Sequence, residues 1–161
     1  MTPSLRHKIF WWLAIISWCW LIFCQSDKPV HVSHGKSLQV VSLFNRFLSH
    51  IIGKEAAVIS DTAVRKSAHL FEYFVLGILL FNGFFSQWKI RKTVLLSILF
   101  GICYAISDEI HQYFVPGREM HLLDIILDSL GTSLGCLVMT ISGSKRKRLP
   151  ILILLYFFKP L

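Results

Sequence analysis

The chain has 161 residues, of which 54% are hydrophobic and only 16% charged, and its mean hydropathy is +0.58. A soluble domain of this size carries about a quarter charged residues, so the composition excludes the ordinary soluble classes and points to an integral membrane protein. The net charge of +8 does not imply nucleic acid, because Lys and Arg gather at the ends of apolar runs and form a basic belt at the membrane boundaries.

The first apolar run covers 9–24, preceded by Arg6 and Lys8. Its core holds Trp11, Trp12, Trp18 and Trp20, and no small-x-small cleavage site follows, so a retained helix over about 8–25 is expected rather than a removed signal. A polar stretch, 26–65, comes next. Within it, 37–52 places Leu38, Val41, Phe44, Leu48, Ile51 and Ile52 opposite Gln39, Ser42, Arg46 and Ser49, which predicts an amphipathic helix on the membrane surface. Apolar runs at 68–85 and 93–106, the latter continuing through 108–113, predict helices over about 66–86 and 92–112. The run 122–141 predicts a fourth over about 121–141. Each approaches the roughly 20 residues a tilted helix needs to cross a hydrocarbon core about 30 Å thick. The tail carries a polybasic stop, 145–148, and an apolar stretch, 151–158, too short to span. The expected architecture is all-α: one membrane domain over 1–161, a bundle of four transmembrane helices plus an external amphipathic helix. Cys19, Cys24, Cys103 and Cys136 show no CxxC spacing and read as small buried hydrophobes.

Basic residues flank the helices unevenly. Arg6 and Lys8, then Lys89, Arg91 and Lys92, then 145–148 lie in short stretches, whereas Lys28, Lys36, Arg46, Lys54, Arg65, Lys66 and Arg118 are spread over longer loops. The positive-inside rule then predicts a multi-pass protein of the cell membrane with both termini cytoplasmic and external loops at 26–65 and about 112–120.

This orientation brings the acidic residues into one layer. Lys66-x-x-His69-x-x-Glu72-Tyr73, Asp108-Glu109-x-His111-Gln112 and Asp124-x-x-x-Asp128 all fall at outer helix ends, within roughly 10 Å of the boundary at the helical rise. An ionised carboxylate at the bilayer centre costs about 2.5–3.5 kcal/mol on insertion scales, so such groups must be paired, hydrated or protonated. Helical spacing puts Lys66, His69, Tyr73 and Gly77 within an arc of about 80°, with Glu72 about 60° beyond. Ser97, Gly101, Tyr104, Asp108 and Gln112 share a second stripe, and Asp124, Asp128, Gly131 and Gly135 a third. Gly131-x-x-x-Gly135 is a spacing that lets membrane helices approach closely. The expected ligand-contacting set is Lys66, His69, Glu72, Tyr73, Asp108, Glu109, Gln112, Arg118, Asp124 and Asp128, opening outward.

These residues resemble the VanZ-like family. The matching elements are Lys66-x-x-His69-x-x-Glu72-Tyr73 with Gly77, then Ser107-Asp108-Glu109-x-His111-Gln112-x-Phe114-Val115-Pro116-Gly117-Arg118, then Asp124 and a Gly-containing helix. The resemblance covers about 66–135. Asp128 stands where the family pattern more often has Asn, and Glu119-Met120-His121 replaces smaller residues. The resemblance implies a small multi-helix membrane protein of the cell envelope, and some members lower susceptibility to teicoplanin.

Pro116-Gly117 predicts a tight external turn that holds Arg118 above the acids. Arg118 and Lys66 either grip a phosphate or carboxylate or neutralise Asp108, Glu109 or Asp124. Two functions follow. One is recognition of an envelope lipid or glycopeptide-like ligand through its headgroup. The alternative is an enzyme acting on a lipid phosphate or lipid-linked cell-wall precursor, with His69, Glu72, Asp108 and Asp124 as its working groups. There is no G-x-S-x-G and no evident Ser or Cys nucleophile. A proton or solute pathway fits less well, since the acids crowd one end. No organic cofactor is expected. A divalent metal held by His69 and Glu72, completed by Asp108, Asp124 and Asp128, is the less favoured alternative, since no HExxH or paired His motif is present, and His69 beside a carboxylate serves equally as a general acid or base. Membrane lipids are the expected partners, and nucleic acid is not.

Overall fold

The computed structural model describes residues 5–28, 38, 41, 42, 46 and 60–142. They form four helices: α1 (Leu5–Ser26), α2 (Asp61–Phe85), α3 (Ile90–Tyr113) and α4 (Leu122–Ser142). All four are long and apolar enough to cross a membrane. Of the predicted amphipathic helix, Leu38, Val41, Ser42 and Arg46 are helical. The rest of 37–52, most of the loop 26–65, and the tail containing 151–158 lie outside the described residues.

Helix α2 starts at Asp61, earlier than the charge boundary at Arg65 and Lys66 implied. Ser60 is the reason: its extended backbone and hydroxyl form an N-cap that accepts the Ala63 N–H at 3.2 Å. At the far end of α3, the Arg118 N–H donates to the Val115 carbonyl at 3.1 Å. Pro116 occupies the second position of that turn and Gly117 the third, at φ 81°, as a type II turn requires.

Close packing follows the glycines. A Cβ on Gly131 would stand 2.6 Å from the Leu70 carbonyl oxygen, and one on Gly135 would meet that of Phe74. From the other side, Gly77 lies against the Thr132 carbonyl. Helices α2 and α4 therefore touch backbone to backbone, and Gly101 of α3 receives the Thr132 side chain. In a membrane no hydrophobic drive separates helix from lipid, so this close van der Waals contact is what holds the pair.

Helix α1 is attached differently. Trp11, Ile15 and Ile22 are buried with Leu76, Leu79 and Leu80 of α2, and two side chains reach across to neighbouring main chains. Trp18 Nε1 donates to the Glu72 carbonyl at 2.9 Å, and the Tyr104 hydroxyl donates to the Cys19 carbonyl at 2.6 Å. Leu13, Ile16, Leu95, Leu99, Leu134 and Ile141 are exposed on the outer faces, where lipid would cover them. The cysteines divide by face: Cys136 is buried and Cys19 half-buried, but Cys24 and Cys103 are exposed. Those two occupy helix positions pointing away from the core, so the expectation of four buried thiols is corrected.

Candidate functional site

The C-terminal ends of α1 and α3 and the N-terminal ends of α2 and α4 meet at one end of the bundle. Their polar side chains form a connected chain. The Arg118 Nη1 donates to Gln112 Oε1 at 2.9 Å, and Gln112 Nε2 donates to Asp108 Oδ2 at 2.8 Å. The Ser26 hydroxyl donates to the same Asp108 oxygen at 2.9 Å. Arg118 Nε completes the run on the Lys28 carbonyl at 3.1 Å.

Arg118 thus rests on two neutral oxygens and, among the described residues, makes no ion pair. Burial, and then the nearby Arg65, lowers its pKa from the ordinary arginine value, yet a guanidinium stays charged. Its positive charge faces the site without a fixed carboxylate partner.

Lys66 behaves otherwise. Its ammonium pairs with Asp124 across α2 and α4. With side chains 35% and 26% exposed, a pair of this kind is worth at most about 1 kcal/mol, so a competing ligand can open it. Glu109 is a structural acceptor: its Oε2 takes the His121 N–H at 3.0 Å, satisfying a donor at the start of α4 that has no partner within the helix. Its negative charge also suits that helix end. Glu72 faces α1, where Oε1 accepts from Gln25 Nε2 at 2.5 Å, and Oε2 stands 3.9 Å from His69 Nδ1.

Between α2, α3, α4 and the turn lies a cavity of about 270 Å³. Of the residues singled out from the sequence, Lys66, His69, Glu109, Gln112, Arg118, Asp124 and Asp128 line it. Three expected residues do not: Glu72 turns toward α1, while Tyr73 and Asp108 are buried behind the wall. Arg65, Glu119 and His121 also line the cavity and were not anticipated. Arg65 lies one residue before the recognised Lys66, in a position that looked like a boundary charge. Gln25 and Ser26 of α1 were missed too, because polar residues closing an apolar run carry no signal of what they touch.

Behind the cavity sits a denser layer. One donor atom each from His69, Asp108 and Asp128 falls within a set no wider than 4.8 Å. His69 Nδ1, Asp108 Oδ1 and the Tyr73 hydroxyl are buried with no hydrogen-bond partner. Orphaned polar atoms inside a bundle are costly, so such a group marks a place built for something besides packing.

A family model described as VanZ/LLP1 matches residues 11–143. No curated protein matches the chain, and no solved structure does.

Proposed function

Starting from a chain that belongs to the VanZ/LLP1 family, we propose a multi-pass protein of the cell membrane whose polar site recognises the headgroup of an envelope lipid or a glycopeptide-like ligand. In this reading both termini are cytoplasmic, the cavity opens outward, and occupancy of the site lowers susceptibility to teicoplanin. The observation that carries it is the setting of Arg118. This guanidinium is oriented by Gln112 and the Lys28 carbonyl, not by an acid, and so presents a two-pronged donor to a phosphate or carboxylate. Arg65 and Lys66 add positive charge on the same wall, while Asp124 and Asp128 supply acceptors for amine or hydroxyl groups of the same ligand.

The enzyme reading draws its support from the His69–Glu72 pair, a carboxylate beside an imidazole. The two are separated by expressing wild type, Arg118→Ala, Asp108→Asn, Asp124→Asn and His69→Ala in cells challenged with teicoplanin, with membrane lipids profiled by mass spectrometry. Recognition predicts lost protection in Arg118→Ala and Asp124→Asn with an unchanged lipid profile. A lipid species that rises on expression and reverts with His69→Ala supports the enzyme. If every variant protects as wild type does, the site has no part in the phenotype.

A further inference from the structure

We infer that His69, Asp108 and Asp128 form a binding site for a divalent transition cation, of the Zn2+ class, at the floor of the cavity. The sequence alone pairs His69 with Glu72, and adds Asp124. The fold leaves both acids outside the close-set group: Glu72 is held by Gln25 through one oxygen with the other 3.9 Å from His69 Nδ1, and Asp124 is held by Lys66. What is left is one ligand from each of α2, α3 and α4.

Charge is the first argument. Asp108 and Asp128 are 3% and 2% exposed, and among the described residues neither forms an ion pair. Arg65, Lys66 and Arg118 line the cavity beside them, but none pairs with either acid: Lys66 is held by Asp124, and Arg118 by Gln112 and a carbonyl. Two adjacent buried carboxylates cannot both stay ionised at low cost without a counter-charge, and a divalent ion would supply the charge that lets both bind it as carboxylates.

Geometry is the second. Ser26 and Gln112 both donate to Asp108 Oδ2, while Oδ1 is buried with no partner. That is the arrangement of an oriented ligand, one oxygen held by its neighbours and the other left for the metal. His69 Nδ1 is likewise buried with no hydrogen-bond partner, Glu72 Oε2 lying 3.9 Å away, beyond hydrogen-bond reach. Tetrahedral ligands bound at about 2.0–2.2 Å stand about 3.3–3.6 Å from one another, so a set no wider than 4.8 Å closes on an ion when its side chains move by about 1 Å or less.

Donor chemistry is the third. One imidazole with two carboxylates suits Zn2+ or a neighbouring transition ion, whereas Ca2+ and Mg2+ take oxygen ligands. Three protein ligands leave a coordination position open. His69 and Asp128 also line the cavity, so that position faces it.

The site is tested on the full chain in detergent, stripped with chelator and dialysed against buffered Zn2+ without lipid or glycopeptide. Failure here therefore leaves the ligand-recognition reading standing. Wild type is expected to retain about one Zn2+ per chain, with Asp108→Asn and Asp128→Asn each weakening binding more than about tenfold and Asp27→Asn unchanged. Wild type without stoichiometric Zn2+, or folded aspartate variants that bind as tightly as wild type, overturns the proposal. Should the aspartate variants not fold, zinc-edge X-ray absorption on loaded wild type decides. A nitrogen and oxygen shell with the scattering of a single imidazole supports the site, and sulfur or a second imidazole refutes it.

Discussion

Ser26 and Asp108, on different helices and far apart in sequence, share a buried 2.9 Å hydrogen bond. It ties the end of α1 to the acid at the centre of the polar layer. Ser26→Ala removes one of two donors to that oxygen and leaves Gln112 alone. Loss of a bond to a buried charged group should lower stability by about 1–3 kcal/mol. A reduced denaturation temperature in detergent checks it, and a thermal profile equal to wild type refutes it.

Arg118→Lys keeps the charge but loses the planar fork that spans Gln112 and the Lys28 carbonyl. Retention of anionic lipid, followed by native mass spectrometry, should fall by roughly tenfold, nearly as far as in Arg118→Ala. If lysine substitutes fully, a point charge is enough and two-pronged recognition is wrong.

The glycine seam predicts unequal costs. At Gly135 the added methyl of alanine runs into the Phe74 carbonyl, which belongs to a helix backbone and cannot move alone. At Gly83 it meets the Ile15 Cδ1 atom at 2.7 Å, the tip of a flexible side chain. Gly135→Ala should therefore destabilise by about 1–3 kcal/mol or more, and Gly83→Ala by clearly less. Size-exclusion profiles after graded heating compare the two directly. Equal losses would mean α4 does not depend on backbone contact with α2.

Orientation is checked in intact cells lacking the native cysteines. Glu119→Cys, beside the Gly117 turn, should react with a membrane-impermeant maleimide. Gln87→Cys, exposed at the opposite end of the bundle, should react only after permeabilisation. The reverse pattern would place the polar site on the cytoplasmic side.

The four helices, the turn at Pro116-Gly117 and the three polar stripes were legible because each rests on local rules. Apolar length, φ preference and helical spacing need no knowledge of the partner. The start of α2 was not, since Ser60 has to be recognised as a cap ahead of a charged turn that looked like a loop. Nor was the contribution of α1: Gln25 and Ser26 acquire meaning only once Glu72 and Asp108 are seen opposite them. Asp108 illustrates the same boundary. Its stripe was read correctly, but whether it lines the cavity or lies behind it depends on how far Gln112 and Arg118 fold over it.

The attachment of α1 by Trp18 and Tyr104 has an evolutionary consequence. Both donors close on peptide carbonyls, of Glu72 and Cys19, and a carbonyl is present whatever residue carries it. Drift at Cys19 is thus free of this constraint, while the indole and the phenol are not interchangeable with residues lacking a long-reaching donor. In relatives that keep this anchorage, the indole and the phenol should be spared while position 19 varies; Glu72 is held for a separate reason, its side-chain bond to Gln25.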